Sequence, residues 1–440
     1  MASLPAQADA DAWSEQVRLW WDSPDPAAQP EAEFALQRAV ATAVQLRPEL
    51  RQEAARQAEL THRIREARAD RLPEVRLGLE QRSSLSATEQ RAFDSGTRLD
   101  AVATVSQRVY DFGASAGHLR AAREHRDAQA WHIRARTTQL ALDAVGVYYD
   151  LARYQAQKTL AEINLKRHED FRDRVQERVR GGAGSRADVL RADSRVADAR
   201  ARLVSLQGRV ERAAASYEEW FFTPAGQVPP PVVDISAHGL TTMPQALDSH
   251  PALREVASRI EATQAESRAL AGERWPHLRV NLEGRRFDVD RSDRGDSDLA
   301  VIFHLDYALY GGGAPGARLS QARERERQSQ WERQALEREL SRQWFSTQAD
   351  AQALEAELQA QYLAVQADQE ALQAYADQFS IGRSSLTDLL DAQRDLFHSS
   401  LRLIELRMER DLAGFRQLAL AGQLLSALKI PDVIPDIRDE

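Results

Sequence analysis

Two hydrophobic periods alternate along this chain. Val75, Leu77 and Leu79 are apolar, while Glu74, Arg76, Gly78 and Glu80 between them are polar or small, a period of two that predicts a strand with unlike faces. After a polar stretch from Ser83 to Arg98, Leu99, Ala101, Ala103, Val105 and Val109 repeat that alternation more loosely. From Ala114 onward the period lengthens. Ile133, Leu140, Val147, Tyr154, Ala161 and Val175 keep heptad spacing, with His168 as the one polar member of the series, and no proline interrupts the run before Arg180. Such a segment is one helix of roughly 100 Å. Gly182 ends it as a left-handed C-cap does. Ser185 with Asp188 then resembles a capping box that starts a returning helix. The seam of that helix is Val189, Val196, Leu203 and Tyr217 together with Ala192, Ala199, Leu206, Ala213 and Trp220.

The whole order recurs roughly 200 residues later. Arg47-Pro48-Glu49-Leu50 returns as His250-Pro251-Ala252-Leu253, and Pro73 returns as Pro276 ahead of a second alternating run of Leu278, Val280 and Leu282. A charged connector over 286–298 leads to Leu299, Val301, Phe303, Leu305, Tyr307 and Leu309. Tyr110-Asp-Phe-Gly113 becomes Tyr310-Gly-Gly-Gly313, and Leu358, Val365, Leu372 and Phe379 restore the heptads. Gly182-Ala-Gly-Ser185-Arg-Ala-Asp188 becomes Gly382-Arg383-Ser-Ser385-Leu-Thr-Asp388, followed by a seam of Leu389, Leu396, Leu403 with Ala392, Leu406, Ala413 and Leu420.

The expected organisation is an N-terminal arm (1–33), a first repeat (34–222), a Pro-rich linker (223–239), a second repeat (240–425) and a polar tail (426–440). The first repeat holds a helix, a hairpin over 73–110, a long helix over 114–180 and a return helix over 185–221. The second holds a helix, a hairpin over 276–310, a long helix over 316–381 and a return helix over 385–425. The fold class is α+β: long coiled-coil helices with two β-hairpins, internally duplicated. Tyr148, Tyr149, Trp344 and Phe345 fall on the long helices and are expected to pack between helices.

Composition narrows the picture. A mean hydropathy of −0.54 with 28% charged residues suits thin helical layers better than a thick globular core. A net charge of −9 argues against nucleic acid as a partner. There is no cysteine, hence no disulfide framework, thiolate metal site or lipidated cysteine. No apolar run is long enough for a transmembrane helix. The opening Met-Ala-Ser-Leu-Pro lacks a basic-then-apolar leader, which leaves a cytosolic protein or one whose signal peptide has been removed. Gly311-Gly-Gly-Ala-Pro-Gly316 lacks the Lys-Ser/Thr of a phosphate loop, the histidines have no ligand spacing, and no catalytic set stands out. Neither an enzyme, a cofactor nor a metal is expected.

Strands of about ten residues can cross a bilayer when tilted. Four of them leave open edges, so a membrane barrel would need several chains. The same hairpins could pack on a soluble surface, and the heptads alone would suit a soluble coiled-coil scaffold. A scaffold, however, has no use for alternating strands placed before a glycine and a long helix.

With its duplicated order and its two G-x-x-S-x-x-D turns, the chain resembles the TolC family of outer-membrane efflux and secretion channels over roughly residues 34–425. The resemblance implies a homotrimer in which each chain gives four strands to one twelve-stranded barrel in outer-membrane lipid, its helices forming a tunnel into the periplasm. It implies a periplasmic adaptor protein and an inner-membrane transporter as partners. Asp388-Leu-Leu-Asp391-Ala-Gln-Arg-Asp-Leu396-Phe397 looks closer to the branch serving type I protein secretion, including large adhesins, with an ABC transporter. The alternative is a multidrug efflux pump with an RND transporter. Asp388 and Asp391 match the family's lumen-facing pair at the periplasmic constriction, where three copies would ring a pore with carboxylates, attract cations and raise the pKa of the ring's own members. Read from the residues alone, the same two are solvated carboxylates complementing a helix N-terminus. Gly182, Ser185, Asp188, Gly382, Arg383 and Ser385 form the tip turns and a possible adaptor contact. The family's aromatic hydroxyl and arginine at this turn correspond to Phe379 and Ser384, with Arg383 one residue earlier, so the hydroxyl is absent and the arginine displaced.

Overall fold

The computed structural model describes residues 13, 30–88, 91–182, 184–229, 247, 249–287, 289 and 296–431. In chain order the elements are α1 (Pro30–Leu46), α2 (Pro48–Ala69), β1 (Glu74–Thr88), β2 (Arg91–Tyr110), α3 (Ala114–Arg180), α4 (Arg186–Phe221), α5 (Pro251–Gly272), β3 (His277–Arg286), β4 (Ser297–Asp306), α6 (Ala314–Ser380), α7 (Leu386–Leu420) and α8 (Leu424–Ala427). They divide into a helical unit of residues 1–51, 134–250 and 338–440, and a sheet-bearing unit of residues 52–133 and 251–337.

In the helical unit the heptad positions are the core. Leu140, Ala161, Val175, Leu358, Val365, Leu372, Leu389, Leu396, Leu403 and Leu406 belong to one buried cluster. His168 fills its own place in that series: the imidazole is buried and edge-on to Phe171, with ring centroids 6.3 Å apart. Nδ1 has no hydrogen-bond partner among the described residues, and burial pushes the pKa down to about 4. A folded pKa below the unfolded value of about 6.5 means that the neutral ring is accommodated above that pH. The contribution, on the order of 3 kcal/mol, is lost as pH falls from about 6.5 to about 4. The melting temperature of the detergent-solubilised protein is therefore expected to fall over that range, and His168→Leu to flatten the fall. An unchanged pH profile in the variant would show that His168 is not the titrating group.

The N-terminal arm is tied down at one residue. Trp13 is fully buried, its Nε1 donates to Ser400 Oγ at 3.1 Å, the Phe397 ring meets it edge-on and the Arg167 guanidinium lies 4.8 Å from its centroid. Residues 230–239 of the Pro-rich linker lie outside the described residues, but Val228 N donates to Gln155 Oε1 at 2.9 Å and clasps the preceding segment to α3. The return helix of the second half stops at Leu420, short of 425, because Gly422 turns the chain at φ 69°. The tail then begins as core: Leu424, Leu425, Ala427, Leu428 and Ile430 are buried, and Gln37 Nε2 donates to the Ala427 carbonyl at 3.2 Å. Of the four helix aromatics, Tyr148 and Tyr149 pack as expected, Trp344 is half-buried and Phe345 is exposed.

In the sheet-bearing unit the four strands form one antiparallel sheet in the order β1-β2-β3-β4. The first hairpin outruns the alternating segment. Its ladder continues from Arg82↔Arg98 through Ser86↔Asp94 to Thr88↔Arg91, so residues 83–88 and 91–98 of the polar stretch are strand and not a connector. Backbone pairing needs no apolar alternation. Conversely β4 stops at Asp306, short of Leu309, since its partner His277 is the first residue of β3. Below the sheet α3 lies close to α5. Three imidazoles at heptad spacing on α3 meet carboxylates on α5 or directly after it: His118 with Glu273 at 2.8 Å, His125 with Glu266 at 2.9 Å and His132 with Glu255 at 3.2 Å.

Candidate conduit wall and helix reversals

Directly opposed residues in neighbouring strands point to the same face, so the register reads out both faces of the sheet. One carries the rows Val75, Val105, Leu282, Val301 and Leu77, Ala103, Gly284, Leu299, with Val280 opposite Phe303 and Leu278 opposite Leu305. This apolar face is open: Leu77 is 83% exposed, Leu299 73% and Phe303 70%. A contiguous apolar surface of that kind needs lipid or a partner over it. The other face carries Arg76, Thr104, Glu283 and Glu74, Ser106, Asn281. Ser106 Oγ donates to Asn281 Oδ1 at 2.8 Å, and Arg285 bridges Glu80, Asp100 and Glu283 at 3.2, 3.6 and 3.0 Å. Charges ordered on one face with aliphatics bare on the other make a wall between lipid and water. β1 and β4 each have one strand neighbour among the described residues, so both edges of the wall are open.

Aromatic rings gather where β2 gives way to α3. Tyr110 and Phe112 lie 4.8 Å apart and Phe112 stacks on Trp275 at 5.6 Å, all three substantially exposed, as rings at a membrane–water interface are. Phe112 (φ 52°) and Gly113 (φ 85°) turn the backbone, and Asp111 fixes the turn by accepting from Ser115 N at 2.9 Å and Gly113 N at 3.2 Å.

The two helix reversals have nearly the same geometry. Gly182 and Gly382 sit at φ 80° and 77°. In the second turn Gly382 N donates to the Phe379 carbonyl at 3.1 Å and Arg383 N to the Gln378 carbonyl at 2.9 Å, the paired bonds of a Schellman motif. Ser185 with Asp188, and Ser385 with Asp388, form complete capping boxes for α4 and α7. The hydrogen bonds from Ser185 hold the Asp188 pKa below the ordinary carboxylate value, and those from Ser385 do the same for Asp388. Within one chain this is opposite in direction to the rise that a carboxylate ring would impose.

Asp391 is differently placed. Its carboxylate bridges Arg394 at 3.1 Å and Arg195 at 3.5 Å. Arg191, its repeat counterpart, instead donates to Thr387 Oγ1. Both contacts between α4 and α7 join residues 196 apart, four short of the repeat spacing, as arginine side chains leaning towards the helix N-terminus do on a parallel neighbour. Arg383 makes no ion pair with Asp188 or any other described residue; the reversals are joined by Arg178, whose Nη1 donates to the Phe379 carbonyl at 3.0 Å with its guanidinium 4.6 Å from the Phe379 centroid. Sequence reasoning missed Arg178 and Arg195. For Arg195 a signal existed: its repeat counterpart is Asp395, just as that of Arg191 is Asp391, and opposite charges at equivalent positions invite pairing between copies.

Comparison with known proteins agrees with this geometry. The family described as outer membrane efflux protein matches residues 39–217 and 242–422, one stretch for each copy of the repeat. BepC, an outer membrane efflux protein of Brucella suis biovar 1 (strain 1330), is 24% identical over 328 residues, 73% of this chain and 71% of its own. Among solved structures, VceC, an outer membrane protein of Vibrio cholerae, shares the fold with a TM-score of 0.76 over 93% of this chain and 98% of its own, at 18% identity. CusC does so with a TM-score of 0.78 over 89% and 91%, at 19% identity. No described helix is long and apolar enough to cross a membrane. Proteins of the matched family are passive, non-enzymatic channels of the outer membrane that extend into the periplasm, working as trimers with periplasmic adaptor proteins and inner-membrane transporters. A lipid-suited wall with two open edges, two capped helix reversals and a family match across both repeats lead to one assignment: the chain belongs to the outer membrane efflux protein family.

Proposed function

We propose that this channel is the exit duct of a type I secretion system, passing polypeptides delivered by an inner-membrane ABC transporter and a periplasmic adaptor. The observation that supports the duct is the sheet with one lipid-suited and one charged face, open at both edges to neighbouring copies. The secretion branch is supported by the run from Asp388 to Phe397. A second reading, the outer-membrane part of a multidrug efflux pump with an RND transporter, is favoured by the name of BepC, an outer membrane efflux protein. In either assembly Asp391 is proposed to line the periplasmic constriction with Arg195 and Arg394 as its counter-charges, and Asp388 to shape it by capping α7. Gly182, Ser185, Asp188, Gly382, Arg383 and Ser385 are proposed to present the reversals to the adaptor.

Cells lacking the chain are expected to lose one or more polypeptides from the medium while keeping their tolerance to dyes and detergents. The wild-type chain restores export, and Asp391→Asn restores it with altered cation selectivity in planar bilayers. An unchanged set of exported polypeptides with lost tolerance would decide for the pump.

A further inference from the structure

On the charged face of the sheet one row stands apart. The register sets Arg108 opposite Arg279 and Arg279 opposite His304, three basic side chains in line across β2, β3 and β4. Like charges directly opposite one another in a sheet are unfavourable unless something of opposite charge lies over them. Little in the chain does. Arg108 reaches Asp111 in one ion pair at 3.6 Å, while Arg279 and His304 have no hydrogen bond or ion pair among the described residues. Asp306, next in line on the same face, is engaged at 3.6 Å by His277, and the row on the other side offers Glu74, already held by Arg76 at 2.8 Å, beside the neutral Ser106 and Asn281, hydrogen-bonded to each other. The contrast is Arg285 on the same face, which three carboxylates surround.

We propose that Arg108, Arg279 and His304, repeated by each chain of the closed barrel, form an anion-recognising ring in the barrel lumen. This rests on the channel reading above. The ring takes polyvalent anions bearing phosphate or carboxylate groups, because two guanidinium groups a strand apart can share such a group with charge-assisted hydrogen bonds. In a lumen walled by lipid-facing strands their field is focused across the pore, so the ring sets which passengers are held and which pass freely. Acidic stretches of a passenger would pause there.

The test is conductance of the full-length protein in planar bilayers, with inorganic pyrophosphate as the probe. Pyrophosphate is expected to block wild-type channels, and Arg279→Gln to raise the half-blocking concentration about tenfold and shift the reversal potential in a salt gradient towards cations. Arg108→Gln should act in the same direction more weakly, because that side chain is already shared with Asp111. Arg279→Lys should keep most of the block, which separates lost charge from a damaged barrel, and Arg63→Gln on α2 should leave both readouts unchanged. Conducting channels whose block and reversal potential are the same in Arg279→Gln, Arg108→Gln and wild type would overturn the ring and leave the channel standing. Absence of conductance from the wild-type protein, with a monomeric mass in detergent, would instead remove the channel reading.

Discussion

Replacing Asp411 with alanine is expected to destabilise the chain by about 3–5 kcal/mol, the usual result of removing one partner from a buried ion pair. Asp411 is almost wholly buried on α7, where it accepts from Tyr149 Oη at 3.2 Å and Arg407 Nε at 3.1 Å, with Arg410 Nε 2.8 Å away. Burial, with Asp411 beside it, drives the Tyr149 phenol well above its ordinary pKa, so the hydroxyl is a permanent donor to the carboxylate. The alanine variant strips a buried Arg407 of its carboxylate and leaves that hydroxyl facing a gap. Tyr149→Phe removes one hydrogen bond and is expected to cost only about 1 kcal/mol. Replacing Arg407 and Asp411 together with leucine is expected to recover most of the loss, since apolar isosteres often equal a buried pair. Denaturant unfolding in detergent measures all three, and an alanine variant as stable as wild type would show that the network contributes nothing net.

A side chain at position 272 is expected to be nearly as damaging. A Cβ built on Gly272 would stand 2.9 Å from the Phe112 carbonyl oxygen and 3.0 Å from Ala114 N, and both are backbone atoms of the strand-to-helix joint. That joint cannot easily give way, since positive φ at Phe112 and Gly113 and the Asp111 hydrogen bonds hold it. Gly117, one turn into α3, is as crowded, with Ala269 Cβ 2.8 Å from its own hypothetical Cβ. Gly272→Leu must therefore pry α5 from α3, at a cost of about 3 kcal/mol or more. The expected readout is loss of the trimer in detergent and faster proteolysis near residue 112, with Gly272→Ala intermediate. A trimeric, protease-resistant leucine variant would contradict the close approach.

What the sequence made legible was whatever is local and periodic. The alternation at Val75, Leu77 and Leu79, the heptads of the long helices and the glycines at 182 and 382 each state a local geometry, and duplication states each of them twice. Features set between distant positions were not legible. His168 reads as a break in a heptad, and only the surrounding apolar side chains make it core. Trp13 reads as part of a loosely packed N-terminal arm until Ser400 and Phe397 supply its socket. The basic row on the sheet exists only once strand register is known, because Arg108, Arg279 and His304 are scattered along the sequence. At the reversals the capping boxes were readable from spacing, whereas the pairing of Asp391 with Arg195 depended on which helix lies beside α7.

The difference in charge between the two reversals limits the symmetry of the assembly. Copies alike in charge would let the six helix pairs of a trimer approximate a sixfold ring, each pair equivalent to its neighbours. With Arg191 on a hydroxyl and Asp391 between two arginines, the pairs differ in alternation. Only threefold order survives. A ring-shaped partner offering six equal contacts would thus meet two classes of seat, unequal in charge.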